Sequence, residues 1–109
     1  MRDVSNDFKN RVIGLAGEVE YAASSVVSKT LLDKKTGTLT LFAFDEGQGL
    51  SEHTSPYDAT VQVVDGVAEL TVGGKLHRVT AGQLFIMPAG VPHSVQAVER
   101  FKMLLIMIR

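Results

Sequence analysis

Two histidines, His53 and His93, are the residues whose type and setting could do chemistry. His53 lies in the glycine-bounded run from Gly47 to Gly66, and His93 closes the run GQLFIMPAGVPH, residues 82–93. A neutral imidazole can ligate a metal through a ring nitrogen or exchange a proton near physiological pH. A site made of both must join residues 40 positions apart. The stretch between the two runs, Val67 to Ala81, is long enough for one hairpin, and a hairpin brings the segments that flank it close together. The third histidine, His77, follows the Gly73-Gly74 turn in KLHR and reads as a solvated surface residue.

The elements that must position this pair read as short strands. Ser24 to Leu32 is rich in β-branched and aliphatic residues, DKKTG at 33–37 is a polar turn, and Thr38 to Phe44 returns as a second strand. Asp45 to Glu52 (DEGQGLSE) reads as a loop with two glycines at a bend. Ala59 to Asp65, Val67 to Val72, Lys75 to Thr80 and Leu84 to Met87 alternate or run apolar between Gly66, Gly73-Gly74 and Ala81-Gly82. Pro88 to Pro92 (PAGVP) is a rigid bend, and His93 to Val98 and Phe101 to Ile108 end the chain. About eight short strands with regular turn signals and no long helix predict an all-β sandwich or barrel. Residues 1–20 read as an N-terminal arm, with Ser5, Asn6 and Asp7 able to cap a short helix and Val12-Ile13 favouring one short strand; residues 21–109 read as the single barrel domain.

Composition narrows the function. With 109 residues there is room for one core, and a net charge of −1 with 45% hydrophobic residues excludes a broadly basic nucleic-acid surface and a disordered acidic chain. There are no cysteines, so disulfides and thiolate metal sites are excluded. No apolar run approaches the roughly 18 residues of a membrane span, and MRDVSNDFKN lacks the apolar segment of a secretory signal. The expectation is a cytoplasmic protein with no nucleic-acid or membrane partner.

The glycine–histidine runs resemble the two motifs of the cupins, G-x5-H-x-H-x3-E-x6-G and G-x5-P-x-G-x2-H-x3-N. Gly47, His53 and Gly66 fall in register with the first, and Gly82, Pro88, Gly90 and His93 with the second. The resemblance covers roughly residues 38 to 108. It implies a small double-stranded β-helix barrel of the jelly-roll type, whose N-terminal strands often complete a homodimer. It also implies a divalent metal (Fe, Mn, Ni or Zn) held by three histidines and a glutamate. Here, however, Ser55 stands at the second histidine position, Ala59 at the glutamate and Ala97 at the final asparagine. Two imidazoles fall short of the three protein ligands of a catalytic zinc site and of the two-histidine, one-carboxylate set of non-haem iron.

Strand parity says which neighbours could complete the shell. His53, Ser55, Ala59, Val61 and Val63 are all odd-numbered, as are His93, Val95 and Ala97, so in continuous strands they share the inward face. Asp58 and Gln62 then point outward. A bulge at Pro56 would turn Asp58 inward as a third metal ligand. The candidate metal set is therefore His53, His93 and Asp58, and the candidate ligand-binding set is His53, Ser55 and His93.

The last strand is apolar on both faces, with Met103, Leu105 and Met107 on one and Leu104, Ile106 and Ile108 on the other. Such a strand must be covered on both sides. A second subunit is the simplest cover, which predicts a homodimer; the N-terminal arm of the same chain is the alternative. The three methionines beyond the initiator would soften a pocket wall.

Two functions follow. In one, a barrel with two imidazoles and Ser55 at its mouth binds a small molecule, with or without a metal. In the other, the pair serves a metal-dependent cupin enzyme of dioxygenase, isomerase or lyase type, or acts as an acid–base pair. No helix-turn-helix accompanies the barrel, so DNA binding by this chain is not expected.

Overall fold

The computed structural model describes residues 8–109. The candidate cap residues Ser5, Asn6 and Asp7 lie outside that range. Nine strands follow one helical turn: α1 (Leu15–Glu18), β1 (Val26–Lys34), β2 (Gly37–Phe44), β3 (Gly49–His53), β4 (Ala59–Asp65), β5 (Val67–Val72), β6 (Lys75–Thr80), β7 (Leu84–Met87), β8 (His93–Gln96) and β9 (Phe101–Ile108). Where the arm was expected to hold a strand, residues 15–18 form α1. Where a loop was expected over residues 45–52, Gly49 begins β3; its run GLSEH carries one large apolar residue and gives no alternation to read. Among the described residues no helix is long and apolar enough to cross a membrane.

The strands form two antiparallel sheets, β1-β2-β9-β4-β7 and β3-β8-β5-β6, facing each other as a jelly roll. Alternation decides what lies between them. Ala59, Val61 and Val63 of β4 and Ala68, Leu70 and Val72 of β5 are buried, while the residues between are not. Phe44 and Phe101 close one end of this core, their rings stacked at 4.6 Å. Each fully buried large side chain contributes about 1.5–3 kcal/mol of transfer free energy, so this face dominates stability.

The outer face of the larger sheet carries a second cluster. Val19 from the arm packs with Leu41, Ala43 and Leu104, joined by Leu15 and Tyr21. Polar contacts hold the arm there: Lys29 Nζ donates to Glu18 O at 2.8 Å, Lys102 Nζ donates to Ala16 O, and the Tyr21 hydroxyl donates to Asp65. The arm thus covers one part of the apolar face of β2 and β9. Toward the ends of these strands Leu39 and Ile106 are only half-buried, and Ile108 is 68% exposed.

Candidate functional site

β8 lies between β3 and β5, and its first residue, His93, is the direct cross-strand partner of His53. The pairing depends on a register shift. Leu50 pairs with Val95 and His53 with His93, so three steps along β3 match two along β8. One extra residue reverses the parity beyond it, which lets Leu50 and His53 face the same cavity. Strand parity pointed Asp58 outward, and only a bulge at Pro56 would have turned it in; the register shift observed lies before His53 and aims the histidine.

The rings meet edge to face, with centroids 4.4 Å apart and planes inclined by 68°. His93 is 3% exposed, whereas His53 sits at the open rim. Each Nδ1 contacts a carbonyl two residues back, His53 at 2.7 Å from Ser51 O and His93 at 3.1 Å from Val91 O. A carbonyl oxygen only accepts, so each neutral ring carries its proton on Nδ1. The lone pair is left on Nε2. Ordinary metal-binding histidines are oriented by just such a bond from the other ring nitrogen.

The cavity that both histidines line measures about 40 Å³. That is room for an ion and a water or two, well below the roughly 300 Å³ at which pockets begin to enclose organic ligands. Besides the imidazoles its wall is aliphatic, together with Met87, Met103 and Met107, which are all the methionines beyond the initiator. Sequence parity put Met103 and Met107 on one face; that Met87 joins them follows from β4 lying between β7 and β9.

The other candidate residues serve the bend that delivers His93. Asp58, exposed, accepts the Ala89 N–H on Oδ1 at 2.9 Å. Ser55 Oγ accepts the Tyr57 N–H at 3.1 Å, and Ser55 O accepts the Gly90 N–H at 2.8 Å. From the other side Pro92 O accepts the Gly73 N–H at 2.8 Å. Gly90 holds φ +77°, which suits glycine at this turn. Neither Ser55 nor Asp58 lines the cavity. His77, expected in solvent, is half-buried with its ring 4.5 Å from that of Phe85.

The residues present do not fit the divalent metal that the motifs imply. Among the described residues no three His, Cys, Asp or Glu side chains converge to hold an ion. Ala59, at the glutamate position, is a 2%-exposed methyl in the cavity wall. A doubly charged ion here would have neutral ligands only, in apolar surroundings that disfavour uncompensated charge.

Comparison with known proteins agrees with the architecture. An uncharacterised protein of Streptomyces coelicolor is 33% identical over 76 residues, covering 70% of this chain and 72% of its own. A conserved Streptococcus pyogenes protein of unknown function superposes with a TM-score of 0.89 at 38% identity, covering all of this chain and 96% of the other. A cupin 2 conserved barrel domain protein from Leptotrichia buccalis gives 0.86 at 41% identity; the match covers 89% of this chain but 47% of that one. The cupin-domain family pattern matches residues 40–109, which carry His53, His93, most of β2 and every later strand, and the chain belongs to that family.

Proposed function

We propose that this cupin is a binding barrel whose mouth captures a small ligand on the Nε2 atoms of His53 and His93. The observation that carries the reading is the pair of Nδ1–carbonyl contacts, which leave Nε2 as the free acceptor of each neutral ring, on two residues that line one 40 Å³ cavity. A neutral Nε2 accepts a hydrogen bond or ligates a cation. The ligand is therefore an ion, or a molecule that inserts one donor group and leaves the rest over the rim at His53. Two imidazoles without a carboxylate supply no hydrolytic or oxygen-activating ligand set, and this favours binding over turnover.

Long-range nitrogen NMR of the 15N-labelled protein tests this directly. Both rings are expected as the Nδ1–H tautomer at neutral pH, and a bound ligand shifts both Nε2 signals. An Nε2–H tautomer at either histidine would sink the reading.

The same proposal takes the protein as a homodimer. The apolar end of the outer sheet face around Ile106 and Ile108 lies beyond the arm of its own chain, and a second copy provides a matching face by two-fold symmetry.

A further inference from the structure

Hard divalent ions are poorly served by this cavity, but its wall is not inert. The three methionine side chains of β7 and β9, Met87, Met103 and Met107, surround the same small space as the two imidazoles. Met87 and Met103 are 3% and 1% exposed. Packing alone would be met by leucine, which has the same bulk; three thioether side chains lining one cavity with two imidazoles add a chemical property that leucine lacks.

We propose that the cavity is a soft-metal site for a monovalent d10 cation, copper(I), held by Nε2 of His53 and His93 and by thioether sulfur from the methionine wall. This rests on the reading that the two Nε2 atoms form the binding site. Charge comes first: with every ligand neutral, Cu⁺ leaves a single positive charge in an apolar pocket, half that left by Zn²⁺ or Fe²⁺. Softness comes second: thioether ligands select Cu(I), while Mg, Ca and Mn prefer oxygen, and no carboxylate lines this wall. Geometry comes third: rings sharing one ion through metal–nitrogen bonds of about 2.0–2.1 Å at a near-tetrahedral angle have centroids about 5 Å apart. The observed separation is 4.4 Å with the rings edge to face, so ion binding requires the pair to open and turn, and His53 at the exposed rim has the freedom to do so. Methionine's three rotatable bonds let sulfur reach an ion without moving the strands.

The test uses the whole protein, anaerobic copper(I) as its acetonitrile complex, and silver(I) as a redox-inert probe. Competition against a chromophoric Cu(I) chelator should give one equivalent per chain, bound roughly tenfold or more tighter than zinc(II), nickel(II), iron(II) or manganese(II), as ligand softness requires. Silver(I) should shift the Nε2 signals of His53 and His93 and the methyl carbon signal of at least one of Met87, Met103 and Met107. The triple variant Met87→Leu, Met103→Leu, Met107→Leu preserves bulk; its thermal melting checks that it folds, and the single variants serve in its place if it does not. Metal affinity in the methionine variants should fall by about tenfold or more once sulfur is lost. Unchanged copper affinity in a folded leucine variant, or a preference for zinc, overturns the soft site. Histidine shifts without methionine shifts also overturn it, yet leave the imidazole binding site standing. Silver bound with no shift at either histidine removes both.

Discussion

At the scale of single residues, the decisive position is Ala59. Its methyl group lines the cavity on the inward face of β4, beside the imidazoles of β3 and β8. Ala59→Glu would add the one hard, anionic ligand that the pair lacks, producing two histidines and a carboxylate. Titration calorimetry should then detect zinc(II) or iron(II) binding that the parent does not show, with a stability loss of about 1–3 kcal/mol from overpacking. Ser55→His should add nothing, because Ser55 lies outside the cavity wall and its hydroxyl serves the Tyr57 N–H. Asp58→Ala separates the two roles considered for that residue. It should lower the melting temperature through loss of the Ala89 contact, by up to about 1 kcal/mol, and leave cation binding intact.

At the scale of elements, the glycine turns are unequal. Gly66 and Gly82 both hold positive φ, +74° and +90°. A Cβ at Gly82 meets nothing within 4 Å, whereas one at Gly66 would lie 2.4 Å from Arg100 O and 3.0 Å from Phe101, where β9 begins. Gly82→Ala should therefore cost about 1–2 kcal/mol of backbone strain alone. Gly66→Ala adds a backbone clash and should cost more; equal losses on denaturant unfolding would contradict the close approach. The arm has its own signature. Burial, first, and then the hydrogen bond to Asp65 and its charge raise the Tyr21 pKa well above the usual phenol value. A pKa raised by folding means that the contact contributes fully below about pH 10 and is lost as pH rises past it. Protection of residues 15–21, taken relative to the intrinsic base-catalysed exchange rate, should fall in that alkaline window, and Tyr21→Phe should abolish this fall in protection while loosening the arm by about 1 kcal/mol.

At the scale of the whole molecule, one row of side chains crosses the outer face of the five-stranded sheet: Ile86, Thr60, Ile106, Leu39 and Leu32 are successive cross-strand partners on β7, β4, β9, β2 and β1. Ile86 is 57% exposed and Ile108, beyond the row, 68%. The homodimer proposed above would use this row as the centre of its interface, and a stable dimer needs about 800 Å² from each partner. Light scattering at micromolar concentration should give twice the chain mass. Ile106→Lys should convert the dimer to monomer or aggregate, since a lysine ammonium there would be buried without a partner. A monomeric parent would remove the interface.

What the sequence determined by itself is local and repetitive. Period-two alternation marked β4 and β5, the Gly73-Gly74 turn implied β6 as their return strand, and the resemblance of Gly47, His53, Gly66, Gly82, Pro88, Gly90 and His93 to the cupin motifs pointed to the fold and the histidine pair. These features lie in runs of a few residues, where backbone geometry maps directly onto residue type. Tertiary structure decided the rest. β3 exists because β8 offers it a partner, not because GLSEH favours a strand. The bulge before His53 comes from matching β3 to β8 at both Leu50 and His53, so no signal near Pro56 could report it. Asp58 is assigned to the bend at Ala89 by a contact 31 positions along the chain, and Met87 to the same wall as Met103 and Met107 by the pairing of β4 with both β7 and β9. Register and convergence of that kind depend on which distant strands become neighbours, and that is settled only when both sheets close on one core.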